Sequence, residues 1–299
     1  MPLKISAFPK CYLEEISGGR SMTVFDWVEM ARSLDADGLE MFEGFFTSLD
    51  DAYIDTVGAA IDAAGFAMPM LCCSPDFTNP DPDARKRAVD REAALIRVTR
   101  RLGGPGAVCR VLSGQRYPEV GRAQGLEWVV ACIEEVLPVA REEGVVLGLE
   151  NHYKDSFWAY PEFAQKRDVF LELLAAIPDR AHFGVQYDPS NAIVAGDDPI
   201  ALLEEVADRV VSMHASDRYL AQGATLDDLR QADGTLGYSP DLRHGVTGKG
   251  LNDYDAIFRT LAAHGYRGWV SIEDGMNGMG EMAESLAFLR RTVARYFPG

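Results

Sequence analysis

The chain has 299 residues, of which 47% are hydrophobic, enough to bury a large core as one α/β barrel. Its formal net charge of -17 repels phosphate backbones, and with no strongly basic patch in view it argues against a nucleic-acid partner. No run approaches the roughly 18 apolar residues that span a membrane. The five cysteines, Cys11, Cys72, Cys73, Cys109 and Cys132, show neither CxxC spacing nor a disulfide framework, which suits a reducing cytoplasm.

The N-terminus enters a strand-like run at once, at Leu3 to Ala7, without the long apolar segment of a signal peptide. Further strands are expected at Gly38 to Phe42, Phe66 to Cys72, Ala107 to Leu112, Val145 to Glu150, His182 to Tyr187, Val210 to His214 and Trp269 to Glu273. Amphipathic helical stretches alternate with them. Asp81-Pro82 supplies an N-cap and a first-turn proline, and Gly103-Gly104 supplies the stop. A helix from about Glu119 to Glu143 ends at Gly144, and Pro138 inside it predicts a kink or a late start. The last helix runs from about Gly280 to Tyr296. This alternation predicts an α/β chain with a single (β/α)8 TIM barrel spanning residues 1–299.

Four of the expected strands end in a potential ligand: Glu150, Asp188, His214 and Glu273. One acid at a strand end is usually a cap or a surface charge. Four in order, one on each of strands five to eight, converge at the face where barrel active sites lie. Three carboxylates and one imidazole suit one divalent ion of intermediate hardness, with Mn²⁺ most natural and Mg²⁺, Co²⁺ or Zn²⁺ as alternatives.

At Leu149-Glu150-Asn151-His152, Tyr187-Asp188-Pro189-Ser190-Asn191, Met213-His214-Ala215-Ser216-Asp217, Gly248-Lys249-Gly250 and Ser271-Ile272-Glu273-Asp274 the chain resembles the xylose isomerase-like sugar phosphate isomerase/epimerase superfamily. The resemblance implies one metal held by Glu150, Asp188, His214 and Glu273, and proton transfer by Glu150 and Glu273 through an enediolate. It implies a keto sugar, sugar acid or cyclitol-like polyol as substrate for an isomerase or epimerase. A metal-dependent lyase on the same scaffold is the alternative, either a dehydratase or an enzyme like C-glycoside deglycosylases. A non-catalytic sugar-binding barrel is a third reading. The DNA-repair endonucleases of the superfamily use many histidines, whereas this chain has five.

Around these positions His152 is a further acid/base candidate, set against a role in orienting Glu150. Asn191, Arg218, Lys154 and Glu40 are candidate substrate contacts, with Glu40 alternatively supporting the site from behind. Asn191 stands where ketose epimerases tend to carry a substrate-contacting histidine. Phe8, Phe45, Phe46, Phe157 and Trp158 could wall an apolar side of the pocket. Cys72 and Cys73 lack an evident neighbouring base and read as structural. The connection at 216–248 is long for a βα unit and could fold over the site as a lid or pack against a partner or accessory subunit.

Overall fold

Alternation of short, wholly buried strands with one-faced helices produces a parallel barrel in the computed structural model, which describes residues 2–155, 157–225, 241–273 and 275–298. Its strands are β1 (Ile5–Ala7), β2 (Gly38–Leu39), β3 (Met41–Phe42), β4 (Met70–Cys72), β5 (Val108–Val111), β6 (Val146–Glu150), β7 (Phe183–Tyr187), β8 (Val210–Ala215) and, after a two-stranded hairpin, β11 (Trp269–Ile272). The sheet order is β2-β1-β11-β8-β7-β6-β5-β4-β3. The terminal members of that order, β2 and β3, are consecutive in the chain and flank Glu40, so they are two halves of one strand and the barrel closes through it.

Every expected strand is present, the second in two pieces. The amide of Glu40 donates to the Ala7 carbonyl at 3.0 Å, so this residue still belongs to the seam although it interrupts the ladder. Apolar side chains such as Ile5, Met41, Leu71, Cys109, Leu147, Val185, Met213 and Val270 are buried on the strands, as a barrel covered by helices requires.

The helix at Pro82–Gly103 starts and stops as expected, with Asp81 Oδ1 accepting the Asp83 amide at 2.9 Å. The following helix, Arg122–Glu143, does not begin late for Pro138 but runs through it. Pro138 faces solvent, where water can satisfy the carbonyl that a proline leaves without a donor. Gly144 ends that helix at φ 65°, a conformation cheap for glycine. The last helix spans Met279–Tyr296.

Two elements beside the strand ends that carry the expected ligands were not anticipated. A six-residue helix, Pro189–Val194, follows Asp188 directly. The long connection contains an antiparallel hairpin, β9 (Arg218–Leu220) with β10 (Leu242–His244), in which Arg218 pairs with His244. Of the expected 216–248 segment, residues 226–240, with Asp227, Asp228, Arg230 and Asp233, lie outside the described residues, as does Asp274. Asp217 anchors the return of the hairpin, accepting amides from Arg218, Gly248, Gly250 and Asn252 at 2.9 to 3.2 Å. A Cβ at Gly250 would stand 2.3 Å from Asp217 Oδ1, which explains the glycine in that turn.

Candidate metal centre and active site

Parallel register brings the last residues of β6, β7, β8 and β11 to one end of the barrel, and with them the four sequence-predicted ligands. One ligand atom from each of Glu150, Asp188, His214 and Glu273 lies within 4.8 Å of the others, and all four residues are buried. His214 Nδ1 is 3.3 Å from Glu150 Oε1 and 3.6 Å from Glu273 Oε2.

Asp188 shows why this cluster fits a cation. It caps the short helix: Oδ1 accepts the amides of Ser190 (2.7 Å) and Asn191 (3.0 Å) and the Ser216 hydroxyl (2.7 Å). Oδ2 is fully buried and, among the described residues, has no hydrogen-bond partner. A buried carboxylate oxygen left without a donor costs free energy that a metal ion would remove. Burial, reinforced by the Glu273 and Glu150 charges, pushes the Asp188 carboxyl up to about 7.

The other two acids are held ionised by cations that sequence reasoning missed. Arg110, on β5, donates from Nη1 to Glu150 Oε2 at 2.7 Å while its Nε and Nη2 bind the Cys73 carbonyl and the Ser74 hydroxyl. Burial alone would raise the Glu150 pKa, but Arg110, His152 and His214 bring it down to about 2. Lys10, just beyond β1, donates to Glu273 Oε1 at 2.9 Å, and against burial it and His214 hold Glu273 well below the usual carboxylate range. A strand-end position was the available signal for Lys10. Arg110 stands within an apolar run, where the unusual charge itself was the signal.

The remaining expected residues separate into groups. Asn191 is buried and donates to Glu150 Oε1 at 3.2 Å. Glu40 does not face the pocket: it is fully buried behind His214 with Oε2 2.8 Å from Nε2, so the expected substrate contact gives way to the support position. Such a carboxylate fixes the imidazole tautomer and turns Nδ1 toward the other acids. His152 Nδ1 lies 3.2 Å from Glu162 Oε2, and its ring stacks on Tyr153. Arg218 is buried, its guanidinium over the Tyr153 ring at 5.4 Å, and it does not line the pocket.

A small pocket of about 40 Å³ opens onto this end of the barrel, lined by Phe8, Lys10, Arg110, His152, Lys154 and Glu273 among others. Of the four clustered ligands, Glu273 reaches its wall. Phe157, also in the wall, is 73% exposed, whereas Phe45, Phe46 and Trp158 are buried away from it. Among the described residues, no helix is long and apolar enough to cross a membrane.

These features define a parallel (β/α)8 barrel with a three-carboxylate, one-histidine cluster at the C-terminal ends of its strands. The profile of the xylose isomerase-like TIM barrel family matches residues 28–292, and the chain belongs to that family. Among curated proteins it is 29% identical over 167 residues to an inosose dehydratase of Geobacillus kaustophilus, covering 53% of this chain and 50% of that one. It is 30% identical over 132 residues to a 3-oxo-isoapionate decarboxylase of Pectobacterium atrosepticum, covering 44% and 40%. These matches thus span half or less of the relatives' length. A D-tagatose 3-epimerase-like protein superimposes with a TM-score of 0.76 at 16% identity, covering 98% of each chain. The IOLI protein with a binding zinc atom does so with a TM-score of 0.71 at 16% identity, covering 99% of this chain and 100% of that one. The structural likenesses establish the fold alone.

Proposed function

We propose that the chain is a divalent-metal-dependent enzyme that moves a proton at the carbon beside a carbonyl in a keto sugar, sugar acid or cyclitol-like polyol. The observation that carries this reading is the unpartnered Asp188 Oδ2 within a cluster of three acids and a histidine, opening through Glu273 onto a pocket. Glu150, Asp188, His214 and Glu273 would hold the ion, Mn²⁺ by donor type. When bound, it supplies Lewis-acid polarisation of a carbonyl and its neighbouring hydroxyl. The chain's part is positioning and proton transfer. Glu273 has Oε1 fixed by Lys10, which leaves Oε2 to take or return a proton. Glu150, clasped by Arg110 and Asn191, holds its charge and geometry on the other side. Arg110, Lys10 and Lys154 in the pocket wall offer donors to substrate oxygens.

Return of the proton by this pair of glutamates gives an isomerase or epimerase. A lyase is the second reading, and two observations favour it. His152 stands in the pocket wall with Glu162 behind Nδ1, leaving Nε2 to protonate a departing group. Two of the matched curated relatives are named a dehydratase and a decarboxylase. The substrate is a small carbohydrate, the setting cytoplasmic, and assembly as a homo-oligomer or with an accessory subunit fits the exposed Tyr219 of the hairpin.

The deciding experiment incubates Mn²⁺-loaded protein in D₂O with ketoses, inososes and 3-keto glycosides. Deuterated product of otherwise unchanged formula supports proton return. Loss of water, carbon dioxide or an aglycone supports the lyase. No deuterium uptake from any substrate by metal-replete protein would favour the binding-barrel reading.

A further inference from the structure

The helix Pro82–Gly103 packs Val89, Leu95, Ile96 and Val98 into the protein, and in the same face it buries Glu92, 1% exposed. An acid there is costly unless something balances it. Among the described residues no lysine or arginine forms an ion pair with Glu92, and Arg110 acts on it from longer range. Its partner is a thiol: Cys109 Sγ lies 3.4 Å from Glu92 Oε1. Cys109 Sγ in turn lies 3.6 Å from Cys73 Sγ, and both thiols are fully buried. One ligand atom from each of the three residues falls within 4.8 Å of the others. The reaction proposed above uses none of them.

A disulfide does not suit this pair. Cys109 is in register with Leu71, so Cys73 sits two residues further along the neighbouring strand. The two sulfurs stand 3.6 Å apart as free thiols, well beyond the roughly 2.05 Å of a disulfide bond. The side-chain atoms match a tetrahedral ion better. With Zn–S near 2.3 Å and Zn–O near 2.0 Å, the tetrahedral edges are about 3.8 Å between sulfurs and about 3.5 Å between sulfur and oxygen. The observed separations are 3.6 and 3.4 Å. A surface pocket of about 310 Å³ lined by Glu43, Ser74, Arg91 and Glu92 gives an ion a way in.

We propose that Cys73, Cys109 and Glu92 form a second metal site, for a thiolate-seeking borderline cation of the Zn²⁺ type, separate from the oxygen-rich centre. Binding releases the two thiol protons and the carboxyl proton to solvent, and water from the pocket side takes the fourth position. The ion would tie the Pro82–Gly103 helix to β5 and to the end of β4. Through the Cys73 carbonyl, which accepts from Arg110, it would also steady the clasp on Glu150.

Cobalt reports the site without any assay of turnover, because thiolate ligation produces an intense near-ultraviolet charge-transfer band. In an Asp188→Ala, His214→Ala background, which removes the oxygen-rich centre, the full-length protein should bind one equivalent of Co²⁺ with that band. Adding Cys109→Ser should abolish the band, and adding Cys72→Ser should leave it intact. Glu92→Gln, which keeps both thiols, should weaken cobalt binding about tenfold or more. Absence of the band in the double-alanine background, its survival in Cys109→Ser, or its loss with Cys72→Ser would overturn the proposal. Should Cys109→Ser fail to fold, unchanged cobalt affinity in Glu92→Gln overturns it equally.

Discussion

The two halves of the barrel contribute unlike chemistry to one end of it. Strands five to eight of the barrel carry the clustered acids and histidine, Glu150, Asp188, His214 and Glu273. The first four barrel strands, β1 to β5 with β2 and β3 counted as one, and their loops carry what keeps those groups in place: Lys10 on Glu273, Glu40 on His214, and Arg110 on Glu150. A set of three carboxylates buried together would repel itself, so one half can present ligands only because the other presents counter-charges and a hydrogen-bond acceptor. Among the described residues Asp188 forms no ion pair with a lysine or arginine, and it is the acid of the three whose pKa rises.

The largest effect that would separate the halves is on turnover. Glu150→Gln should lower kcat by about 10²–10⁴ in steady-state assays. Normal turnover in that variant would remove Glu150 from the reaction. Next, Arg110→Met strips the buried Glu150 of its partner and should cost about 3–5 kcal/mol in denaturant unfolding. Unchanged stability would mean that the two halves are not electrostatically coupled.

Metal removal tests the acid that lacks a cation. With its carboxyl pushed up to about 7 in the folded chain, against about 4 unfolded, Asp188 should contribute a loss of about 2–4 kcal/mol to the stability of chelator-treated protein as pH rises from 4 to 7. The sign follows from the raised folded value: its contribution is complete below the unfolded pKa and is lost as pH climbs through the folded one. Asp188→Asn should flatten this slope, and saturating Mn²⁺ should reverse it.

Glu40→Gln should weaken metal affinity about 10–100-fold by isothermal titration, with kcat at saturating metal largely retained. An equal loss at saturating metal would place Glu40 in the reaction itself. Smallest of all, Lys10→Met lets the Glu273 pKa rise, so the acid limb of kcat/KM should move to higher pH with about a tenfold loss at its low-pH end. An unmoved limb would assign it to another group.

The asymmetry between halves also explains what was legible in the sequence. Glu150, Asp188, His214 and Glu273 stand out because each closes an apolar run, and the same runs mark the strands of the fold. Arg110 and Lys10 act across the barrel on residues 40 and 263 positions away, a separation that local pattern does not encode. Glu40 was found as a residue but not as a contact, since its partner His214 is 174 positions distant. The Pro189–Val194 helix was hidden by its length: six residues carry too little periodicity to read, although Asp188-Pro189 is itself a cap signal. Pro138 misled as to a late start because its solvent-facing position depends on how the whole helix is rotated.

That short helix has a consequence for which ions can be told apart. Three donors occupy Asp188 Oδ1, so the residue can lend a cation one oxygen and never two. Asn191 and Arg110 restrict the Glu150 oxygens in the same manner. Ca²⁺ fills a shell of six to eight oxygens and often draws carboxylates in as two-oxygen ligands, whereas smaller ions are content with fewer and closer ones. The hydrogen bonds that shape this end of the barrel therefore also act as a sieve by ionic size, set by backbone and side-chain donors before any ion arrives.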